Sequence, residues 1–327
     1  MIYIDTHSDD VAWNLALEYY FAAVRPLPET IFLFWPTEPT VVIGRFQNAM
    51  EEINLPYLKE HEIRLVRRMS GGGTIYADRG NRMYSFIEHQ ESVRIEFHRY
   101  LEPVIGALAE LGVEASFNGR NDLVIGGRKF SGNSQYRLKD RLVHHGTMMF
   151  DVDIEAMAAV TAAGSDTILS KSVKSVRSRV TNIAEHLPRP VDMDAFGEVM
   201  VRHIMGGPGY PVYELTPEDT AAITKIADER FRGWENMYGR SPKFNIDRSA
   251  RLDGGRMQFR LEVQKGIITQ AALYGDFFAS VDADTICAAL IGCRYDRGAV
   301  LDALKAHGVG DAVYRVTARE MAAVIAD

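Results

Sequence analysis

The chain has 327 residues, 46% of them apolar and 25% charged, which excludes a disordered or fibrous protein and leaves room for two domains with cores of their own. Its 37 basic and 44 acidic residues give a formal charge of −7, a poor balance for general nucleic-acid binding that leaves room for a local basic patch. The two cysteines, Cys287 and Cys293, are too few for a disulfide framework or a four-cysteine zinc site, and fit a reducing cytoplasm.

Residues 1–10 lack the basic and apolar regions of a signal peptide, and no apolar run reaches the roughly 18 residues that cross a bilayer. Asp9 or Asp10 is placed to cap a helix over Val11–Val24, which Pro26 and Pro28 end. Short apolar runs at Glu29–Trp35, Thr40–Gly44, Ile63–Arg67, Thr74–Ala77 and Met83–Ile87 read as strands. Phe97–Leu111 repeats apolar residues at helical spacing, with Gly112 where a C-terminal cap belongs. Leu123–Ile125, Arg128–Tyr136 and Arg141–Phe150 predict a strand and then a hairpin. Thr167–Asn182 is polar and basic without a period and reads as a loop. Met193–Ile204 and a stretch from Thr216 to about Phe231 predict helices, the second with Pro217 at its first position. In the tail, Met257–Val263 and Ile267–Tyr274 predict strands. Asp282–Leu290, Asp296–Ala306 and a capping box at Thr317–Glu320 predict helices. The fold class is therefore mixed α+β: a mostly antiparallel sheet with packed helices over residues 1–243, and a small α/β domain over 244–327.

Two clusters carry chemistry. Arg67-Arg68-Met69-Ser70-Gly71-Gly72-Gly73-Thr74-Ile75-Tyr76 strips side chains from three successive residues, so that amides can converge on an anion beside two planar cations. Alone it also fits an ordinary hairpin, and it is not a P-loop. Gly119–Asn133 places Lys129 among glycines, where strand alternation puts it on one face with Ser131. An inward lysine there can screen the repulsion between a carboxylate and an α-phosphate. On the next strand, His144 and His145 face opposite sides and cannot easily share a metal, while Thr147 is a further donor. The run with Lys171, Lys174, Arg177 and Arg179 fits either a solvated surface or a mobile loop closing on phosphate.

Together these residues resemble the bacterial lipoate–protein ligases of the A type. The likeness runs through Val41–Asn48, Arg67–Tyr76, Gly80-Asn81, Gly119–Leu123, Arg128–Gly132, His144–Thr147 and Ser175–Asn182, and more loosely through the tail from Trp234. It implies a biotin/lipoate ligase-like catalytic domain with an accessory C-terminal domain. It implies a two-step reaction in which ATP, with Mg2+, and free lipoate give lipoyl-AMP and pyrophosphate. The lipoyl group then passes to a lysine of an acceptor domain, in 2-oxoacid dehydrogenase E2 subunits or the glycine-cleavage H protein. By this likeness Lys129 contacts the lipoate carboxyl and the α-phosphate. Arg68, Ser70, Gly71, Gly72, Gly73, Thr74, Ile75 and Tyr76 hold the nucleotide and lipoyl end, and Asn81 and Asp122 lie by the nucleotide. His145, Gly146 and Thr147 line the intermediate's site, Arg179 belongs to the closing loop, and Trp35 is placed to line the lipoyl slot. The chain departs from the pattern at Ala77, where a relative has histidine, and this bears on substrate preference. A cytoplasmic monomer that binds neither membrane nor nucleic acid is expected. The alternatives are an octanoyl or lipoyl transferase, against which the absence of cysteine before position 287 speaks, a biotin ligase, whose Gly-Arg-Gly-Arg loop is missing, or a non-catalytic lipoyl-domain binder.

Overall fold

The computed structural model describes residues 1–47, 52–90, 94–161, 175–233, 246–264 and 266–326. These form two compact units, each with its own core.

The first unit opens with β1 (Ile2–Ile4) and α1 (Val11–Tyr19), capped by the Asp10 side chain and prolonged by a wider turn over Tyr20–Val24. It continues through β2 (Ile31–Pro36), β3 (Thr40–Ile43), α2 (Leu55–Glu60), β4 (Arg64–Arg67), β5 (Ile75–Ala77) and β6 (Asn81–His89). Then come α3 (His98–Glu110), β7 (Ser116–Phe117), β8 (Asp122–Ile125), β9 (Arg128–Leu138), β10 (Arg141–Met149) and α4 (Ile154–Thr161). Two more helices, α5 (Met193–Ile204) and α6 (Pro217–Ile226), close the unit. Gly112 ends α3 at φ +79°, as expected of a left-handed cap.

Seven strands form one sheet in the order β1-β2-β6-β10-β9-β8-β7, and β4-β3-β5 form a second. Among the described residues, only the β1–β2 pair of the large sheet is parallel. Strand alternation gives the large sheet two faces. One carries Phe86 against Tyr100 of α3, and Phe34 against Phe196 of α5. The other carries Ser85, Tyr136 and His145 against Glu18 of α1.

The first of these faces holds a fully buried histidine. His144 stacks on Tyr100 with ring centroids 4.5 Å apart, and Gln135 Nε2 donates to its Nδ1 at 3.0 Å. Burial, with His145 and Arg99 nearby, holds its pKa well below the ordinary range. The unfolded chain therefore takes up a proton below about pH 6.5 that the folded chain refuses, and stability falls as pH falls. We expect this group's contribution to be flat above about pH 7 and to remove up to about 1.4 kcal/mol per pH unit below 6.5. Urea titrations from pH 5 to 8 check this, and in a His144→Phe variant the slope should be smaller by that amount.

The second unit contains β11 (Ile246–Leu252), β12 (Gly255–Gln264) and β13 (Ile267–Gly275), an antiparallel sheet in that order. With them are α7 (Ala283–Leu290), α8 (Arg297–Ala306) and α9 (Ala318–Ile325), the last opened by the expected Thr317–Glu320 capping box. Met257, Phe259 and Leu261 alternate inward from β12 onto Ile286, Leu290, Leu304 and Met321. Residues 43–47 and 69–74 also belong to this unit. Phe46 enters its apolar core, stacked on Phe277 at 4.6 Å and 4°.

Several elements escape the sequence reading. β1, α2, α4 and β7 are each eight residues or fewer, too short for a period to register. β11 alternates only loosely, because Arg248 sits at a position the pattern reserves for an apolar residue. Within the expected loop 167–182, residues 167–174, including Lys171 and Lys174, lie outside the described residues.

Candidate active site

The α1 face of the large sheet gathers six of the residues singled out above: Trp35, Asn81, Asp122, Lys129, His145 and Thr147. His145 and Thr147 project from β10 and Trp35 from β2, with Asn81 and Ser85 on β6 between them. Lys129 joins them through an irregularity. Leu123 pairs with Ser131, but Val124 pairs with Lys129, so Phe130 is an extra residue in β9. This bulge overturns the expectation that Lys129 and Ser131 share a face: their partners are consecutive on β8, so they point to opposite sides. The ammonium lies above Gly132 instead, 2.8 Å from where a Cβ would stand there, and 2.8 Å from Asp122 Oδ1. Gly132 N–H in turn donates to Thr147 Oγ1 at 3.1 Å. Glycine at 132 is thus what leaves the amine its place.

Asn81 is wholly buried, and neither its Nδ2 nor its Oδ1 has a hydrogen-bond partner among the described residues. A buried amide left unsatisfied costs about 1–3 kcal/mol, so such groups in a folded protein call for an explanation.

Deeper on the same face lies a network the sequence reading missed. Glu18, fully buried, accepts from Ser85 Oγ at 2.5 Å and Tyr136 OH at 3.3 Å, and meets His145 Nδ1 at 3.0 Å. His145 Nε2 reaches Ser134 Oγ at 3.0 Å, and Trp35 Nε1 approaches Ser85 Oγ at 3.5 Å. The signal was available: Glu18 follows Leu15 by three residues and Asn14 by four, so it falls on the buried stripe of α1.

Gly146 serves the opposite face. A Cβ there would lie 2.2 Å from Asn133 Oδ1 and 2.6 Å from the Tyr84 ring. Arg68, buried at the end of β4, donates to Val42 O at 3.1 Å, and Val42 pairs across the small sheet with Ile75. Burial, helped by Arg67, lowers its pKa to about 9, so it stays cationic at neutral pH. Tyr76 and Ala77 are buried on β5. Arg179 is exposed, its Nε donating to Ser175 O at 3.1 Å within its own turn.

Ser70, Gly71, Gly72, Gly73 and Thr74 fall in the second unit. Gly72, at φ +91°, donates its N–H to Phe277 O at 2.8 Å, and a Cβ on Gly71 would stand 2.2 Å from that same oxygen. Arg45 N–H donates to Ser70 O at 2.8 Å, while Gln47 Oε1 accepts from Gly44 N–H and Thr74 Oγ1. The bend is thus a built loop rather than a slack hairpin. Cys287, in the same unit, is buried with its thiol pushed up to about 12, unfit for thioester chemistry.

Comparison with known proteins identifies the family. The family described as lipoyl protein ligase A/B catalytic domain matches residues 10–205, and that described as bacterial lipoate protein ligase C-terminus matches 241–325. The lipoate-protein ligase LplJ of Bacillus subtilis is 41% identical over 310 residues, covering 93% of this chain and 94% of its own. Lipoate–protein ligase 1 of Staphylococcus aureus is 38% identical, covering 90% of each. Three solved structures share the fold. P. falciparum LipL1 in complex with lipoate has a TM-score of 0.79 at 19% identity, over 93% of this chain and 94% of that one. A lipoate-protein ligase A bound with ATP has 0.62 at 23%, over 73% and 98%. A bi-partite ligase from Thermoplasma acidophilum, described with its E2 lipoyl domain, has 0.64 at 24%, over 75% and 98%. With relatives this similar along nearly the whole chain, and both family regions matched in order, the protein belongs to the bacterial lipoate–protein ligases and is an enzyme of that class.

Proposed function

We propose that this ligase works through an adenylate. The lipoate carboxylate attacks the α-phosphorus of ATP, pyrophosphate leaves, and lipoyl-AMP remains. The amine of an acceptor lysine then attacks the lipoyl carbonyl, loses a proton, and releases AMP. Acceptors are lipoyl domains of 2-oxoacid dehydrogenase E2 subunits and the glycine-cleavage H protein. Support comes from the relatives whose structures hold lipoate or ATP, and from the archaeal ligase described with an E2 lipoyl domain. The observation that carries the reading is a single sheet face bearing a lysine ammonium and a buried, unsatisfied amide at Asn81.

In this reading Lys129 exchanges Asp122 for the lipoate carboxyl and the α-phosphate, screening their repulsion as they meet. Asn81 and Asp122 attend the nucleotide, and His145 and Thr147 line the intermediate's site with only the backbone of Gly146 between them. Trp35, Arg68 and Lys129 contact lipoate, whose chain gains about 0.8 kcal/mol per buried CH₂. Ser70 to Thr74, Ile75 and Tyr76 keep the nucleotide role that the resemblance gives them, and Arg179 belongs to a loop that closes on the adenylate. Magnesium enters with ATP: no group of three or more potential ligands occurs among the described residues, and this ion ordinarily rides on phosphates. The catalytic domain spans 1–243 and the accessory domain 244–327, in a cytoplasmic monomer.

Pyrophosphate release from ATP, assayed with lipoate, octanoate and biotin in turn, tests the reading. Release with lipoate and none with biotin is expected, and silence with lipoate rejects it. Asn81 gives a second test. Asn81→Leu removes an unsatisfied buried amide, so we expect a gain of about 1–3 kcal/mol in stability. The same variant should bind ATP at least about tenfold more weakly, the loss of roughly one hydrogen bond. Chemical denaturation and calorimetric titration measure the two.

A further inference from the structure

The strand that carries Lys129 runs past its neighbour. β10 pairs with β9 only as far as Gly146 opposite Asn133, so residues 128–132 are paired on one side by β8 alone. The chain after residue 175 covers the other side of Lys129. Lys129 N–H donates to Arg179 O at 2.8 Å, and Thr181 N–H donates to Lys129 O at 2.9 Å, a parallel bridge centred on Val180. That segment is itself held from behind. Asn182 Oδ1 accepts from Val152 N–H at 3.0 Å, and its Nδ2 donates to Val152 O at 3.0 Å. Asn182 N–H reaches Glu185 Oε1 at 3.3 Å, and Ala184 N–H donates to Phe150 O at 3.0 Å.

We propose that Asn182 is a positioning residue for Lys129, gripping the bulged peptide through Thr181 and Arg179 and so fixing the face on which the ammonium lies. A bulge is a locally disrupted ladder, and the alternative to it is the regular register. In that register Lys129 returns to the face of Ser131, away from Asn81 and Thr147. The two backbone bonds to Arg179 and Thr181 oppose this slip, and both depend on a segment that Asn182 fastens to the end of the neighbouring strand. The inference rests on the ligase reading, and deepens it by naming what aims its central amine.

The test is Asn182→Ala, read by pyrophosphate release from ATP and lipoate, by amide hydrogen exchange, and by thermal melting. In the variant, kcat per folded molecule should fall about 10²-fold, the cost of a misplaced group, while the KM values for ATP and lipoate stay within about twofold. Exchange at Lys129 and Thr181 should speed up about tenfold, with the rest of the sheet unchanged. A merely structural role would lower the melting temperature and quicken exchange throughout, leaving kcat per folded molecule alone. A kcat within about twofold of the parent overturns the proposal, as does a lost kcat with unchanged exchange at Lys129. Should the alanine variant not fold, Glu185→Ala removes only a partly exposed part of the anchor and should show the same pattern at about fivefold. Failure of the parent protein to release pyrophosphate is a separate result, seen before any variant is made, and it removes the ligase reading itself.

Discussion

Lys129→Ala should lose adenylation while keeping its fold. Two anions about 4 Å apart repel by about 4 kcal/mol at the effective dielectric near a protein surface, and a fixed cation between them offsets much of that. Removing one such donor costs about 2.7–4 kcal/mol, or 10²–10³ in rate. The structural cost should be small. The Lys129–Asp122 pair is partly exposed, and Asp122 keeps a second partner in Asn118 Nδ2 at 3.1 Å. Such pairs contribute about 0–1 kcal/mol, so the melting point should barely move. Lys129→Arg should not rescue the rate, because the space above Gly132 fits a slim ammonium and a planar fork is wider. Single-turnover pyrophosphate release and thermal melting of both variants measure this. Unchanged adenylation by the alanine variant would remove Lys129 from the mechanism.

The same residue shows where sequence reasoning stops. Its type, its glycine neighbours and its strand are legible, because each is a local property of the chain between Gly119 and Asn133. Its direction is not. Alternation predicts the face of Ser131, and one extra residue at Phe130 reverses that, a choice settled by pairing with β8 and with residues 179–181. His144 and His145 were separable in advance because no bulge intervenes between them, and they do face opposite sides. The triple-glycine bend was legible as a loop of special backbone. That Gly71 has no room for a side chain beside Phe277 was not, because some 200 residues separate them in sequence. The helices over 98–110 and 193–204 were legible from their apolar spacing, whereas the half-polar edge β11 offers no such period. Asn81 was named only through the resemblance. Its orphaned amide is a fact of three dimensions that no motif encodes.

Glu18→Ala should be the most destabilising of the changes considered, at about 3–5 kcal/mol, the cost of removing one partner of a buried pair. The carboxylate is fully buried and is the shared acceptor for Ser85, Tyr136 and His145. Its removal strands those donors in a site where each unsatisfied group costs about 1–3 kcal/mol. Against a total stability of about 5–15 kcal/mol, that is a large share. Glu18→Gln retains one acceptor oxygen and should cost about 1–2 kcal/mol, since one of its donors now meets an N–H. The decisive arm is a double-mutant cycle with His145→Leu. If the pair is what Glu18 chiefly serves, the cost of Glu18→Leu should shrink by about 1–3 kcal/mol in the His145→Leu background, because both polar partners are then gone together. Equal costs in the two backgrounds would show that Ser85 and Tyr136, and not the histidine, account for the retention of the buried Glu18 side chain. Urea midpoints at constant m-value give all four corners of the cycle.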